Sequence, residues 1–257
     1  MKGFCSFASG SKGNCIYLAT THAKILIDAG ISARMIEKKL NEVNVDISEI
    51  DAIIVTHEHS DHIQGLKVLA AKKKIPVFCN ADTARGICDN LRIQPNFKIF
   101  TTGEPFTFKD LEFKPFTIPH DTLDPVGFTV QYDRHKLGFC TDLGFVTTTV
   151  IHSLQNCDYL FLEANHHPDM VMSSPRSPIY KRRVLGRQGH LSNMECAKLI
   201  DEVFHAKLKH IHLAHLSSEC NHKDLAYKTV KEFLEEKNKK VDVSVALQDA
   251  TSKKIYL

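Results

Sequence analysis

The chain has 257 residues, 43% hydrophobic and 25% charged, with 33 basic residues against 30 acidic ones and a net charge of +3. Such a composition reads as an ordinary globular protein that can bury a substantial core without disulfide support, and +3 alone is too little to argue for a nucleic-acid partner. The 15 histidines point towards metals. The eight cysteines contain no C-x-x-C pair and sit mostly in apolar runs, as reduced core residues do. After Met1-Lys2 an apolar patch is soon interrupted by Gly10, Lys12, Gly13 and Asn14, so it is no secretory h-region, and no apolar run approaches membrane-spanning length. The expectation is a cytoplasmic protein with no membrane partner.

Taken in order, the chain opens with strands at Gly3–Ala8 and Cys15–Ala19 around a glycine-dependent turn at 9–14. A third strand, 24–28, ends in Asp28. Ser32 can cap a helix whose apolar positions Ile36, Leu40 and Val43 recur at helical spacing. The apolar run 51–55 predicts a buried strand, followed by Thr56-His57-Glu58-His59-Ser60-Asp61-His62 and a helix over 63–69. A short strand at 75–79 and a helix at 82–91 come next. From residue 98 to about 141 the pattern is strand-rich, with 112–118, 127–132 and 136–141 as candidates. A helix near 147–154 precedes the apolar strand 159–162, and 165–190 is a long stretch without clear periodicity. Ser192-Asn193-Met194-Glu195 is a capping-box pattern that opens a helix through about residue 204. A strand at His210–Ala214, a helix at 224–235 and a last strand at 241–247 complete the reading. Strands and helices mix throughout, with no low-complexity linker and no evident internal repeat, so a single layered α/β domain over residues 1–257 is expected.

Three histidines and an aspartate lie within six residues, directly after a buried strand, in the 57–62 loop. That is a dense set of metal-binding side chains. His57 and His59 are one residue apart, so both imidazoles point the same way in an extended segment. A turn into the following helix would swing Asp61 and His62 elsewhere, letting the two halves face different neighbours. Further candidates stand at other strand ends: His120 after Ile118-Pro119, Asp142 before Leu143-Gly144, and His215 after Leu213-Ala214.

Asp28, His57-x-His59-x-Asp61-His62, His120, Asp142 and His215, in that order, resemble the metallo-β-lactamase superfamily over nearly the whole length. The resemblance implies a four-layer αβ/βα sandwich with the site where the two sheets meet. It implies two divalent metals: one held by His57, His59 and His120, the other by Asp61, His62 and His215. Asp142 would bridge them, and Asp28 would steady the loop from behind. Aspartate at the bridging position sets the chain apart from true β-lactamases. Five imidazoles and two carboxylates neutralise only part of the charge of two divalent ions, favouring a bridging hydroxide and an anionic substrate. With nitrogen and oxygen ligands and no thiolate, zinc, manganese and iron all fit.

The segments Ser9-Gly10-Ser11-Lys12-Gly13-Asn14-Cys15, Gly189-His190-Leu191-Ser192-Asn193 and Leu213 to Asn221 look like the YycJ-type (WalJ-type) branch of that superfamily. Its members are associated with 5′ to 3′ exonuclease action on DNA. That branch typically carries two asparagines where this chain has Cys220-Asn221. The expected function is therefore a dinuclear phosphodiesterase acting on nucleic acid, DNA before RNA, with Asp61 and His190 acting in the chemical step. His190, Ser192 and the helix N-terminus would meet phosphate, with Asn14 beside them. The basic residues of 165–190, Arg183 and Arg187 among them, would draw in the phosphate backbone. Two alternatives use the same chain: a hydrolase of small esters, thioesters or lactones, and a regulatory or scaffold protein with a vestigial metal site.

Overall fold

The computed structural model describes residues 2–257. The first half runs β1 (Gly3–Ala8), β2 (Cys15–Ala19), β3 (Lys24–Ile27), α1 (Ala33–Asn41), β4 (Ala52–Ile54), α2 (Ser60–Ile63), α3 (Leu66–Leu69), β5 (Val77–Cys79), α4 (Ala81–Leu91) and β6 (Phe97–Ile99). The second half begins with β7 (Phe106–Phe108), β8 (Leu111–Thr117), β9 (Val126–Tyr132), β10 (His135–Cys140), α5 (Thr148–Leu154) and β11 (Tyr159–Glu163). It ends with α6 (Pro168–Ser173), α7 (Pro178–Val184), α8 (Asn193–Val203), β12 (His210–Ala214), α9 (Lys223–Glu236), β13 (Asp242–Val245) and β14 (Ile255–Tyr256).

Two seven-stranded sheets result, ordered β14-β1-β2-β3-β4-β5-β6 and β13-β12-β11-β10-β9-β8-β7. In each, an antiparallel meander leads into a parallel set: β1 to β3 then β3 to β6, and β7 to β10 then β10 to β13. The halves thus repeat in topology although no repeat shows in the sequence, because a strand's place is set by burial and crossover rather than by particular side chains.

Alternation along single strands explains the layering. Ile25, Ile27, Ala52 and Ile54 join Phe113, Phe128, Phe139 and Phe161 in the cluster between the sheets. Their neighbours Leu26, Ile53 and Val55 pack outwards against Ile36 and Leu40 of α1 and Leu66 and Leu69 of α3. On the other sheet, Leu160, Leu162, Ile211 and Leu213 face Val150 of α5, Leu199 of α8 and Val230 of α9. Strands buried on both faces read as continuous apolar runs, as these do. The architecture is the four-layer αβ/βα sandwich.

Several boundaries differ from expectation. The helix over 63–69 is two short helices parted at Gln64-Gly65. There the Gly65 N–H donates to the Ala29 carbonyl at 2.7 Å, and a Cβ on Gly65 would sit 2.9 Å from that oxygen. The 165–190 stretch holds α6 and α7. Each begins with proline after a capping position and anchors one apolar residue, Val171 or Val184, against Cys220. Helices of six and seven residues are too short for a 3.6-residue period to register. β6, β7 and β14, of three, three and two residues, lay below the same threshold.

Candidate metal centre

The carboxyl ends of β3, β4, β8, β10, β11 and β12 all deliver side chains to one end of the sandwich. Open α/β sheets place their binding sites at such ends. Asp28, Asp142 and His215 follow β3, β10 and β12 with φ of 60°, 57° and 53°, the left-handed region. Asp and His are among the residues that tolerate it, and the turn re-aims each side chain away from the sheet plane. The 57–62 loop crosses Gly30 so closely that a Cβ there would meet the Asp61 carbonyl oxygen at 1.5 Å. That carbonyl accepts the Asn14 backbone N–H at 2.8 Å, which clamps the loop from below.

Two ligand sets converge. Nitrogens of His57, His59 and His120 lie within 4.8 Å of one another, as do ligand atoms of Asp61, His62 and His215. Asp142 faces both: Oδ1 is 3.6 Å from His120 Nε2 and 3.4 Å from His215 Nε2, while Oδ2 is 3.3 Å from His62 Nε2.

The outer nitrogens are held by protein. His62 Nδ1 donates to Asp28 Oδ2 at 2.8 Å, His215 Nδ1 to Glu163 Oε1 at 2.8 Å, and His120 Nδ1 to the Gly189 carbonyl at 3.2 Å. His57 Nδ1 lies 3.0 Å from Thr56 Oγ1, and the Thr56 hydroxyl donates in turn to Asp28. With Nδ1 so engaged, Nε2 of all four rings is turned inward as a lone-pair donor, the arrangement metal-binding histidines use. His59 is the exception: its Nδ1 points inward, 3.2 Å from His120 Nε2.

The centre fits metal on a further ground. His57 Nε2, Asp142 Oδ2 and His215 Nε2 are buried without a hydrogen-bond partner, a costly arrangement that a cation between them would relieve. Charge balance agrees. Burial pushes His57 well below the usual histidine range, keeping it neutral. Burial also works against charge on His62 and His215. Asp142 with Asp28 and Asp61 nevertheless carries His62 well above its usual value, and Asp142, Asp61 and Glu163 raise His215 to about 10. Burial opposes ionisation of Asp142 too, yet His215 and His62 hold it well below the carboxylate range. The carboxylates here demand positive charge.

Glu163 was missed in the sequence. Fully buried at the end of β11, it accepts His190 Nδ1 and His215 Nδ1 on Oε1, both at 2.8 Å, and the Leu143 and Leu191 N–H groups on Oε2 at 2.8 and 3.0 Å. Burial raises its pKa, but His190 and His215 bring it down to about 2. Asp142, Glu163, His190 and His215 also converge as a possible ligand group. The 2.8 Å contacts to both Nδ1 atoms are hydrogen-bond geometry, so Glu163 is read as a support. An acid closing the run Tyr159-Leu160-Phe161-Leu162, as Asp28 closes β3, was the available signal.

Asn165 was missed as well; its Nδ2 donates to the His215 carbonyl at 2.8 Å. Asn221 holds that segment, donating to the Ala164 and Asn165 carbonyls at 2.8 and 3.0 Å and exchanging hydrogen bonds with Asn193. The atypical Cys220 is buried against Val171 and Val184, so its departure from the pattern is a packing change.

A cavity of about 160 Å³ opens over the centre, lined by His59, Asp61, Asp142, Arg183, His190 and His215 among others. The residues expected to touch substrate divide there. His190 and Arg183 line it, although Arg183 is paired with Asp121 at 2.5 Å. Asn14 is buried outside the cavity lining, its Nδ2 donating to the Gly10 carbonyl at 3.2 Å and to Asp61 Oδ2 at 3.3 Å. Ser192 is the N-cap of α8, its Oγ taken by the Glu195 N–H. The N–H groups of Leu191 and Asn193 are taken by Glu163 and the His166 carbonyl. The Arg187 guanidinium lies 4.1 Å from the centre of the Phe145 ring, outside the cavity lining.

Fold and centre together define a metallo-β-lactamase-type hydrolase, and the chain belongs to that superfamily: residues 23–213 match the Beta-lactamase superfamily domain. Within it the chain groups with proteins named for one activity. It is 35% identical over 253 residues to Exodeoxyribonuclease YycJ of Bacillus anthracis, covering 97% of this chain and 96% of that protein. It is 34% identical over 248 residues to Exodeoxyribonuclease WalJ of Streptococcus pneumoniae, covering 95% and 92%. The crystal structure of the metallo-β-lactamase fold protein YhfI from Bacillus subtilis superposes with a TM-score of 0.70 at 16% identity over 98% of this chain and 99% of that one. Among the described residues, no helix is long and apolar enough to cross a membrane.

Proposed function

We propose that the protein is a dinuclear-metal phosphodiesterase that removes nucleotides from DNA, working from the 5′ end. The observation that carries the reading is Asp142 set between two adjoining ligand groups, His57/His59/His120 and Asp61/His62/His215. Two divalent ions held by such groups would lower the pKa of water between them and stabilise charge on a phosphoryl group. Zinc, manganese and iron suit the donors equally. The names of the full-length relatives supply the substrate class.

The chain's own contribution centres on His190. Glu163 holds its Nδ1–H, so Nε2 is the nitrogen presented to substrate, and His190 lines the cavity beside His215. From there it can donate a proton to a phosphoryl oxygen or to the departing 3′ oxygen, with Glu163 stabilising the charged ring. Asp61 lines the same cavity, its Oδ2 3.6 Å from Nε2 of both His62 and His215, so the three would hold one ion beside the reacting phosphate. The polar, charged lining of this cavity supports phosphodiester over small apolar esters or lactones.

The test is hydrolysis of 5′-phosphorylated linear duplex, single-stranded DNA and RNA across titrations of Mn²⁺ and Zn²⁺. Mononucleotide release from DNA 5′ ends is expected. Survival of every nucleic acid at every metal concentration, with turnover of a lactone or thioester, would sink the proposal.

A further inference from the structure

The cavity over the metal centre does not end there. Ser11 and Asp61 line it and also line a neighbouring groove of about 390 Å³, which continues over Lys12, Gln64, Lys67 and Asn90. The turn that carries Ser11 and Lys12 is held firmly: Gln248 accepts the Lys12 N–H at 2.9 Å and donates to the Gly13 carbonyl at 2.8 Å. The opposite wall is made by α2, α3 and the end of α4, with Lys67 exposed on α3.

Pairing distinguishes this groove from the basic stretch of α6 and α7. Arg176 is paired with Glu219 and Arg183 with Asp121, so each must give up a carboxylate before it can take a phosphate. Among the described residues, no carboxylate oxygen comes within the 4.0 Å of an ion pair of the Lys12 or Lys67 ammonium. Contact with a phosphate costs these lysines no existing partner. Among the described residues the lining is polar or aliphatic, with two ammonium groups suited to phosphates.

We infer that this groove carries the nucleic-acid strand away from the metal centre, with Lys12 and Lys67 each neutralising a backbone phosphate. The inference rests on the nuclease reading and extends it to a second subsite on this side of the centre. Phosphate contacts of this kind fix register without reading sequence, so the grip is sequence-tolerant and salt-sensitive.

The test uses metal-loaded protein and 5′-phosphorylated single strands of two and eight nucleotides, in DNA and RNA series. For Lys12→Gln/Lys67→Gln, the ratio of kcat/KM on the longer strand to that on the shorter should fall about tenfold. The dependence of log affinity on log salt for the longer strand should become shallower by about 1.4, since each lost single-strand phosphate contact removes about 0.7. Arg85→Gln, exposed on α4 outside the groove, is the control for loss of a surface charge, one against the double variant's two, and should leave both readings alone. If wild-type protein cleaves no strand, the nuclease reading falls. If it cleaves and the double variant keeps both the ratio and the slope, or if Arg85→Gln changes them equally, the groove assignment falls while the nuclease reading stands.

Discussion

Glu163 Oε1 lies 2.8 Å from His215 Nδ1 and equally close to His190 Nδ1, so one buried carboxylate oxygen orients a candidate metal ligand and a candidate proton donor together. Glu163→Gln keeps the volume but replaces one acceptor oxygen with an N–H₂ donor, so either the two rings or the Leu143 and Leu191 N–H groups lose their acceptor. Metal affinity should drop about 10- to 100-fold, as for other outer partners of metal-binding histidines. The fall in kcat should persist at saturating metal, because His190 is misoriented too. Equilibrium dialysis against graded free metal, beside saturated kinetics, separates the effects. Unchanged affinity would remove Glu163 from its supporting role.

Asp142 is the only one of the seven candidate ligands whose oxygens face members of both sets. Asp142→Asn should lower bound metal from about two ions per chain to about one and reduce kcat by at least about 100-fold. Elemental analysis of dialysed protein reads the first and initial rates the second. A variant that keeps both ions and wild-type rates would mean that Asp142 does not bridge.

Metal removal should destabilise the fold, because His57 Nε2, Asp142 Oδ2 and His215 Nε2 are buried without other partners. Free metal at about 100 times its dissociation constant adds about 2.7 kcal/mol to the native state. For a chain of this size that is roughly 5–10 °C in Tm. Calorimetry with and without chelator should show the difference, and it should shrink in Asp142→Asn.

Away from the centre, His212 packs between the sheets against Phe4 and Phe161 and donates Nε2–H to the Lys253 carbonyl at 3.0 Å. Its Nδ1 is buried without a partner. Burial, reinforced by His210, depresses its pKa from 6.5 to about 3, and burial with Lys253 brings His210 to about 4. Between the folded and unfolded pKa values the unfolded chain binds more protons. Each histidine therefore withdraws up to about 1.4 kcal/mol per pH unit as pH falls below 6.5, and nothing above it. In urea titrations with constant chelator, His212→Phe should lose about 2 kcal/mol less than wild type between pH 7 and pH 5. Equal losses would show that His212 titrates normally in the folded state.

The sequence by itself determined the superfamily, the sandwich and the seven candidate ligands. Each ligand stands at or just beyond the end of an apolar strand, and such runs are legible because both faces are buried and every residue in them must be apolar. The turn into α2 that the loop suggested is present, and it brings Asp61 and His62 beside His215 while His57 and His59 meet His120. Only the tertiary structure revealed Glu163, whose role depends on β10, β11 and β12 lying side by side and bringing Leu143, His190 and His215 around one carboxylate. It likewise placed Asn14 and Ser192 off the cavity lining, Asn14 beside Asp61 and Ser192 capping α8, and paired Arg183 with Asp121, 62 positions away. A residue's type and local spacing tell what it can bind. Whether that capacity is free or already spent depends on the neighbours that folding brings to it.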